Sequence, residues 1–253
     1  MGIFDRFKKK DSKYKYIILK DNYKTKEYYI DELTKINSFI DKLNNLYSNN
    51  KNNNYEFCIP INNYLLKKIR ILYVLGEEFD EIKKLVVEYC DNLSKRSQLV
   101  YNEVTNALSL GILYNIGVKS LEFIKEKMIS EKNVDATLDL LRNKVFENKV
   151  LNTKEFYYKE KGYFGDEYSK DYNGLMKVIN ADSIETKNKE LKKFLKEEKE
   201  RHYQKILKYY DEIGENRYIY TGSFDFKLTA VAKILDIDKS ILENSKFIAI
   251  DLL

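Results

Sequence analysis

One proline and nine glycines are all that punctuate 253 residues. Sandwiches and barrels turn often and need Gly, Pro and Asn at those turns. A chain so poor in breakers favours long helices. The fold expected is therefore all-α, a bundle of packed αα-hairpins in two subdomains sharing a core. Length permits one large domain or two small ones, with enough chain to bury a core unaided. Charged residues make up 34% and hydrophobic ones 43%, a globular rather than a disordered balance.

Hydrophobic spacing places the helices. Tyr29, Leu33, Ile36, Ile40, Leu43 and Tyr47 recur at three- and four-residue steps and predict an amphipathic helix over 25–47. "SNNKNNN" at 48–54 reads as a loop. Pro60 marks the entry of a helix carrying Leu65, Leu66, Ile69, Leu72 and Leu75, apolar nearly all round and so central. Gly76 ends it, and Glu77, Glu78, Asp80 and Glu81 crowd the start of the next helix, where acids suit the dipole. Phe79, Ile82, Leu85, Val86, Tyr89 and Leu93 form the inner stripe of that helix. Further helices are expected at 102–116, 119–130 and 134–146. "IGVKSLE" at 116–122 echoes "IDKSILE" at 237–243, each after an Ala-bearing apolar helix. One long helix is expected from Ser183 onward, with a stripe of Leu191, Leu195, Glu198, His202, Ile206, Tyr209 and Ile213. The division expected is a basic leader over 1–24, a helical subdomain over 25–150 and a second over 151–253.

Net charge is +5, and residues 1–30 hold nine basic and four acidic residues. The remainder carries 36 of each sign. A neutral body argues against direct nucleic-acid binding, which calls for a concentrated basic face. The strongest cue the other way is 187–208, with nine Lys/Arg and four acids. Such a face could meet phosphates, and more often it is solvated and laced with i,i+4 pairs. Cys58 and Cys90 form no CxxC, so neither a disulfide framework nor a zinc site is indicated and a reducing cytosol is expected. No stretch approaches the ~18 apolar residues of a membrane span.

Glu198 and His202 lie four residues apart and could be a metal or general-base pair. His202 is the only histidine, and neither a third ligand nor a nucleophile completes a set. Phosphate-binding glycine loops and EF-hand spacing are absent. No catalytic residue, cofactor or metal is therefore expected. Residues 155–173 combine five acids and three lysines with seven aromatics. Rigid tyrosines flanked by acids suit an interface with a basic partner. They equally suit the seam between helical layers, and the residues leave both readings open.

The C-terminal stretch "YIYTGSFDFKLTAVAKILDIDKSILENSKFIAIDLL" carries a Y-x-G-[YS]-[WF]-x-F turn, an A-x-A-K-x-L helix, a D-x-S-x-L turn and a closing D-L. It resembles the PoNi immunity family, whose members neutralise PoNe-type polymorphic toxins, nucleases of the PD-(D/E)xK type. The matching residues are Tyr220, Gly222, Phe224, Phe226, Ala230, Ala232, Lys233, Leu235, Ser240, Leu242, Asp251 and Leu252. "LLKKIRILYVLGEEFDEI" resembles the family's N-terminal half, so the likeness spans about residues 25–253. Phe224 stands where the family usually has Trp, Lys227 where it has Glu, and "AIDLL" where it has "PYDL", which marks a divergent member. The resemblance implies a bacterial cytoplasmic immunity protein that binds a cognate secreted toxin, in stoichiometric complex and without turnover. The alternative is a helical nucleic-acid-binding or regulatory protein using the basic face. The motif itself reads as core, with Tyr220, Gly222, Phe224, Phe226 and Asp251 structural and Ser223 as a cap for the next helix. The partner surface is expected at Tyr163, Phe164, Asp166, Glu167, Tyr168, Asp171 and Tyr172.

Overall fold

The computed structural model describes residues 20–21, 23–49, 54–128, 136–150, 175–213 and 219–253. Among them every regular element is helical and none is a strand. The chain forms two compact units, Met1–Arg96 with Tyr218–Gly222, and Ser97–Arg217 with Ser223–Leu253. The boundary expected near 150 falls inside the second unit.

The first unit is built on α1 (Lys26–Asn49), α2 (Asn54–Val74) and α3 (Phe79–Ser94). Successive helices pack as hairpins, α1 on α2 and α2 on α3. Tyr29, Leu33, Ile36 and Ile40 of α1 are buried, as the spacing predicts. The last turn of α2 is buried all round, from Ile71 to Val74, and Leu75 just beyond it is buried too. Pro60 is the exception to the expected helix start. It lies inside α2, six residues beyond its first residue. An interior proline forfeits one ladder bond and costs about 3 kcal/mol. Cys58, Ile61 and Leu65, all buried around it, offset that cost.

Gly76 has φ 70°, a left-handed conformation that glycine tolerates best. The Glu77 amide donates to the Leu72 carbonyl at 2.9 Å and closes a Schellman turn. That turn aims the chain into α3. There Ile82, Val86, Tyr89, Cys90 and Leu93 face inward, while Phe79, expected on this stripe, is 41% exposed in the first turn.

The second unit centres on α4 (Tyr101–Leu113) and α9 (Phe226–Ile234), which pack on each other and on α6 (Ala136–Glu147). A 3-10 turn (Val118–Leu121) and α5 (Glu122–Met128) follow α4. The echo between 116–122 and 237–243 is a repeated structure. Asn115 and Asp236 both take left-handed φ, 51° and 53°. The Ile116 amide returns to the Gly111 carbonyl at 2.8 Å, and the Ile237 amide to the Ala232 carbonyl at 3.0 Å. Each closed turn leads into a 3-10 segment, Val118–Leu121 or Lys239–Ile241. A left-handed φ costs Asn little and Gly less. Asn115→Gly should therefore keep or raise stability by up to about 0.5 kcal/mol, whereas Asn115→Val should lower it by about 1–2 kcal/mol. Thermal melting of the two variants checks that order.

The long helix is continuous but not uniform. It comprises α7 (Ile184–Phe194), a π turn (Leu195–Lys199) and α8 (Glu200–Ile213). Ser183 caps its start by accepting the Thr186 amide at 3.2 Å. The wide π turn admits an extra residue and rotates the face beyond it. The buried series therefore runs Leu191, Leu195, Tyr203, and His202 is exposed. The expected stripe through Glu198, His202 and Ile206 is out of register by one residue beyond Leu195.

Candidate functional site and the C-terminal signature

The signature begins in the first unit. Tyr220 is 3% exposed, and its hydroxyl donates to Asp21 Oδ2 at 3.1 Å. Asp21 is itself buried and takes the Tyr29 hydroxyl on Oδ1 at 3.0 Å and the Tyr23 amide at 3.1 Å. A buried carboxylate needs such donors, since each replaces lost water. The Tyr220 amide donates to the Tyr28 hydroxyl at 2.8 Å. Arg70 on α2 grips the next residues, donating to Thr221 Oγ1 at 2.9 Å and to the Gly222 carbonyl at 3.1 Å. Gly222 has φ 103°, where a side chain would be strained. Tyrosine, glycine and their spacing are thus set by one anchoring job.

Beyond the glycine the signature belongs to the second unit. Asp225 is the N-cap of α9, its Oδ1 accepting the Lys227 and Leu228 amides at 2.9 and 3.2 Å. The expected cap, Ser223, instead donates to the Lys246 carbonyl at 2.9 Å. Asp225 is also ion-paired to Lys199, which the π turn swings inward. Burial alone would raise the Asp225 carboxyl. The charges of Lys199 and Lys227, with hydrogen bonds from Lys199 and the Leu228 amide, outweigh burial and hold it well below the usual carboxylate range. The same rotation sets Tyr203 edge-on against Phe247, centroids 5.5 Å apart. Lys246 lies 4.2 Å from the Tyr203 centroid and pairs with Glu200 at 2.9 Å.

Phe224 and Phe226 are buried and tilted together, centroids 5.1 Å apart, and Phe226 meets Tyr114 edge-on at 6.5 Å. Ala230, Ile234 and Ile237 are buried, so the face predicted from Phe226 onward lies inside. Lys233 donates to the Leu252 carbonyl at 2.7 Å and ties the closing 3-10 turn (Ile250–Leu252) to α9. Asp251, in that turn, is exposed. Burial first, then the Asp251 charge, pushes the Tyr114 hydroxyl up.

Residues 148–252 match the family model described as PoNe immunity proteins (PoNi), C-terminal. Over that stretch, less than half of its length, the chain is similar to PoNi immunity proteins. Among curated proteins and solved structures no match was found. The PoNi match takes in Tyr220, Gly222, Phe224, Phe226 and Asp251. Their partners Asp21, Tyr28 and Arg70 lie N-terminal to it. Those partners carry no signal in a single sequence, because 199 residues separate Tyr220 from Asp21.

The other candidate residues fall as follows. Tyr163, Phe164, Asp166, Glu167, Tyr168, Asp171 and Tyr172 lie outside the described residues. Glu198 is half-buried in the π turn, and His202 is exposed on α8. Among the described residues no group of three or more His, Cys, Asp or Glu could hold a metal ion. Of the basic face, Lys189, Lys192, Lys193, Lys196, Lys205 and Lys208 are exposed, while Lys199 is turned to Asp225. No helix of the described residues is long and apolar enough to cross a membrane. Cys58 and Cys90 are buried, and burial pushes the Cys90 thiol up to about 12. A thiol held so high is unreactive at neutral pH.

Proposed function

We propose that this chain is a bacterial cytoplasmic immunity protein that binds a cognate PoNe-type nuclease toxin and neutralises it stoichiometrically. The observation that carries the reading is the PoNi match over 148–252. The contacts of the signature support a division of labour within it. Tyr220, Phe224 and Phe226 are buried in anchoring and core, and half-buried Gly222 supplies the left-handed turn between them. Asp251 closes the last turn at the surface. The protein acts by occupying the toxin rather than by turning over a substrate.

The partner surface proposed is the acidic, tyrosine-bearing run Tyr163, Phe164, Asp166, Glu167, Tyr168, Asp171 and Tyr172. Its composition supports this. A nuclease presents basic groups where it grips phosphate, and acids beside tyrosines complement such a face. Replacing Asp166 and Glu167 together by Lys should weaken toxin binding by about 10-fold or more with the melting temperature unchanged. Calorimetric titration checks it, and an unaltered affinity would remove the run from the interface.

The reading as a whole is tested by growth. Cells expressing the nuclease domain encoded beside this chain should die without it and grow with it. Continued death in cells that accumulate the folded chain would contradict the assignment.

A further inference from the structure

Among the described residues of the first unit, α1 leaves an apolar strip in water. Phe39 is 43% exposed and Leu46 50%. Two helical turns separate them, so they share a face of α1. Tyr64 of α2 stacks on Phe39, with centroids 5.2 Å apart and planes 14° from parallel. Lys42 stands 5.8 Å from the Phe39 centroid, and Lys67 5.4 Å from that of Tyr64. Folding gains little from side chains it leaves half in water, whereas a partner that covers them gains their burial. Aromatic anchors at a centre with charges at its margin are the make-up of a protein interface.

Charge identifies what fits. Lys67 is half-buried, and burial lowers its pKa more than the Glu32 charge raises it. The Glu32 carboxylate is already paired with Lys35 at 2.6 Å. A desolvated ammonium beside a stacked aromatic pair complements a carboxylate that arrives with apolar neighbours.

We propose that Phe39, Leu46 and Tyr64, with Lys42 and Lys67, dock an acidic, apolar-bearing segment of the toxin. This rests on the immunity reading above. A cleft that holds DNA phosphates is basic. The acidic segment therefore lies on another face of the nuclease, and the strip adds a second contact to the acidic run.

Calorimetry with the neighbouring-gene nuclease domain, inactivated at a metal-binding carboxylate, tests it against full-length chains. Phe39→Ala with Leu46→Ala should weaken binding about 10-fold or more. Lys42→Glu with Lys67→Glu should weaken it further and abolish the salt dependence that the strip contributes. Phe39 and Leu46 are exposed, so the melting temperature of the Ala pair should stay within about 3 °C of wild type, whereas Lys67 is half-buried and the Glu pair should lose more stability but remain folded at the titration temperature. Wild-type affinity in both folded variants overturns the strip and leaves the immunity reading intact. Failure of the wild type to bind overturns both. Dimerisation of the wild type that the substitutions abolish, with toxin affinity unchanged, assigns the strip to a second copy and overturns the proposal.

Discussion

Asp225→Ala should unfold about 2–3 kcal/mol more easily than the wild type. The carboxylate does two jobs at once. It caps α9 through the Lys227 and Leu228 amides, and it pairs with Lys199. Loss of an N-cap costs about 1 kcal/mol. Removing the acid also strands Lys199, whose side chain is only 22% exposed, beside Lys227. α9 feels both losses because it is central to its unit, with Phe226, Leu228 and Thr229 to Ala232 buried. Asp225→Asn keeps an oxygen for the amides and loses only the charge, so it should fall between. The pH dependence has a fixed sign. A carboxyl held lower in the folded state than in the unfolded one stabilises above its unfolded pKa, near about 4. That contribution is lost as pH falls from there through the folded value. The wild type should thus approach Asp225→Asn in stability below about pH 4, while the gap stays constant from pH 5 to 7. Denaturant midpoints across that range measure it. A gap that persists undiminished in acid would show that Asp225 acts as a cap alone.

Asp21→Ala should cost about 2–4 kcal/mol, and Tyr220→Phe about 1 kcal/mol. The asymmetry follows from how many of these hydrogen bonds each substitution removes. Removing the Tyr220 hydroxyl takes one donor from a carboxylate that keeps the Tyr29 hydroxyl and the Tyr23 amide. Removing the carboxylate takes away an acceptor that two tyrosine hydroxyls share, both on residues at most 3% exposed. A double-mutant cycle between Asp21 and Tyr220 should give a coupling of about 1 kcal/mol. Strict additivity would mean that the signature tyrosine is held by packing against Tyr23, at 4.8 Å between centroids, and not by its hydroxyl.

These two aspartates show what a single sequence can and cannot disclose. Local rules worked where local physics decides. Glycine scarcity and apolar spacing gave an all-helical chain, and Gly76 sits at a left-handed turn. The echo between Asn115–Leu121 and Asp236–Ile241 is visible because one turn chemistry recurs, an Asn or Asp that tolerates left-handed φ before an Ile. The Asp225 cap was accessible in principle. Ser223 and Asp225 are both good caps, and only the helix start at Phe226 decides between them. Non-local effects stayed hidden. "LKEEK" contains nothing that demands a π turn. The extra residue is favoured by what it brings inward, Lys199 onto Asp225 and Tyr203 onto Phe247, 26 and 44 positions away. Pro60 likewise resembles a helix start until burial on both sides extends α2 past it. Tyr220, Phe224 and Phe226 are buried, as a core reading of the signature expects, while Asp251 is exposed, and Asp21, Tyr28 and Arg70, which hold the turn, carry no local signal.

The central claim is stoichiometric neutralisation of a nuclease. Its most direct measurement uses whatever nuclease domain the neighbouring gene encodes, following DNA cleavage at nanomolar to micromolar enzyme as the chain is titrated in. The account predicts a linear fall in rate that reaches zero at one equivalent and does not move with DNA concentration. Full cleavage in the presence of several equivalents of folded chain would contradict it.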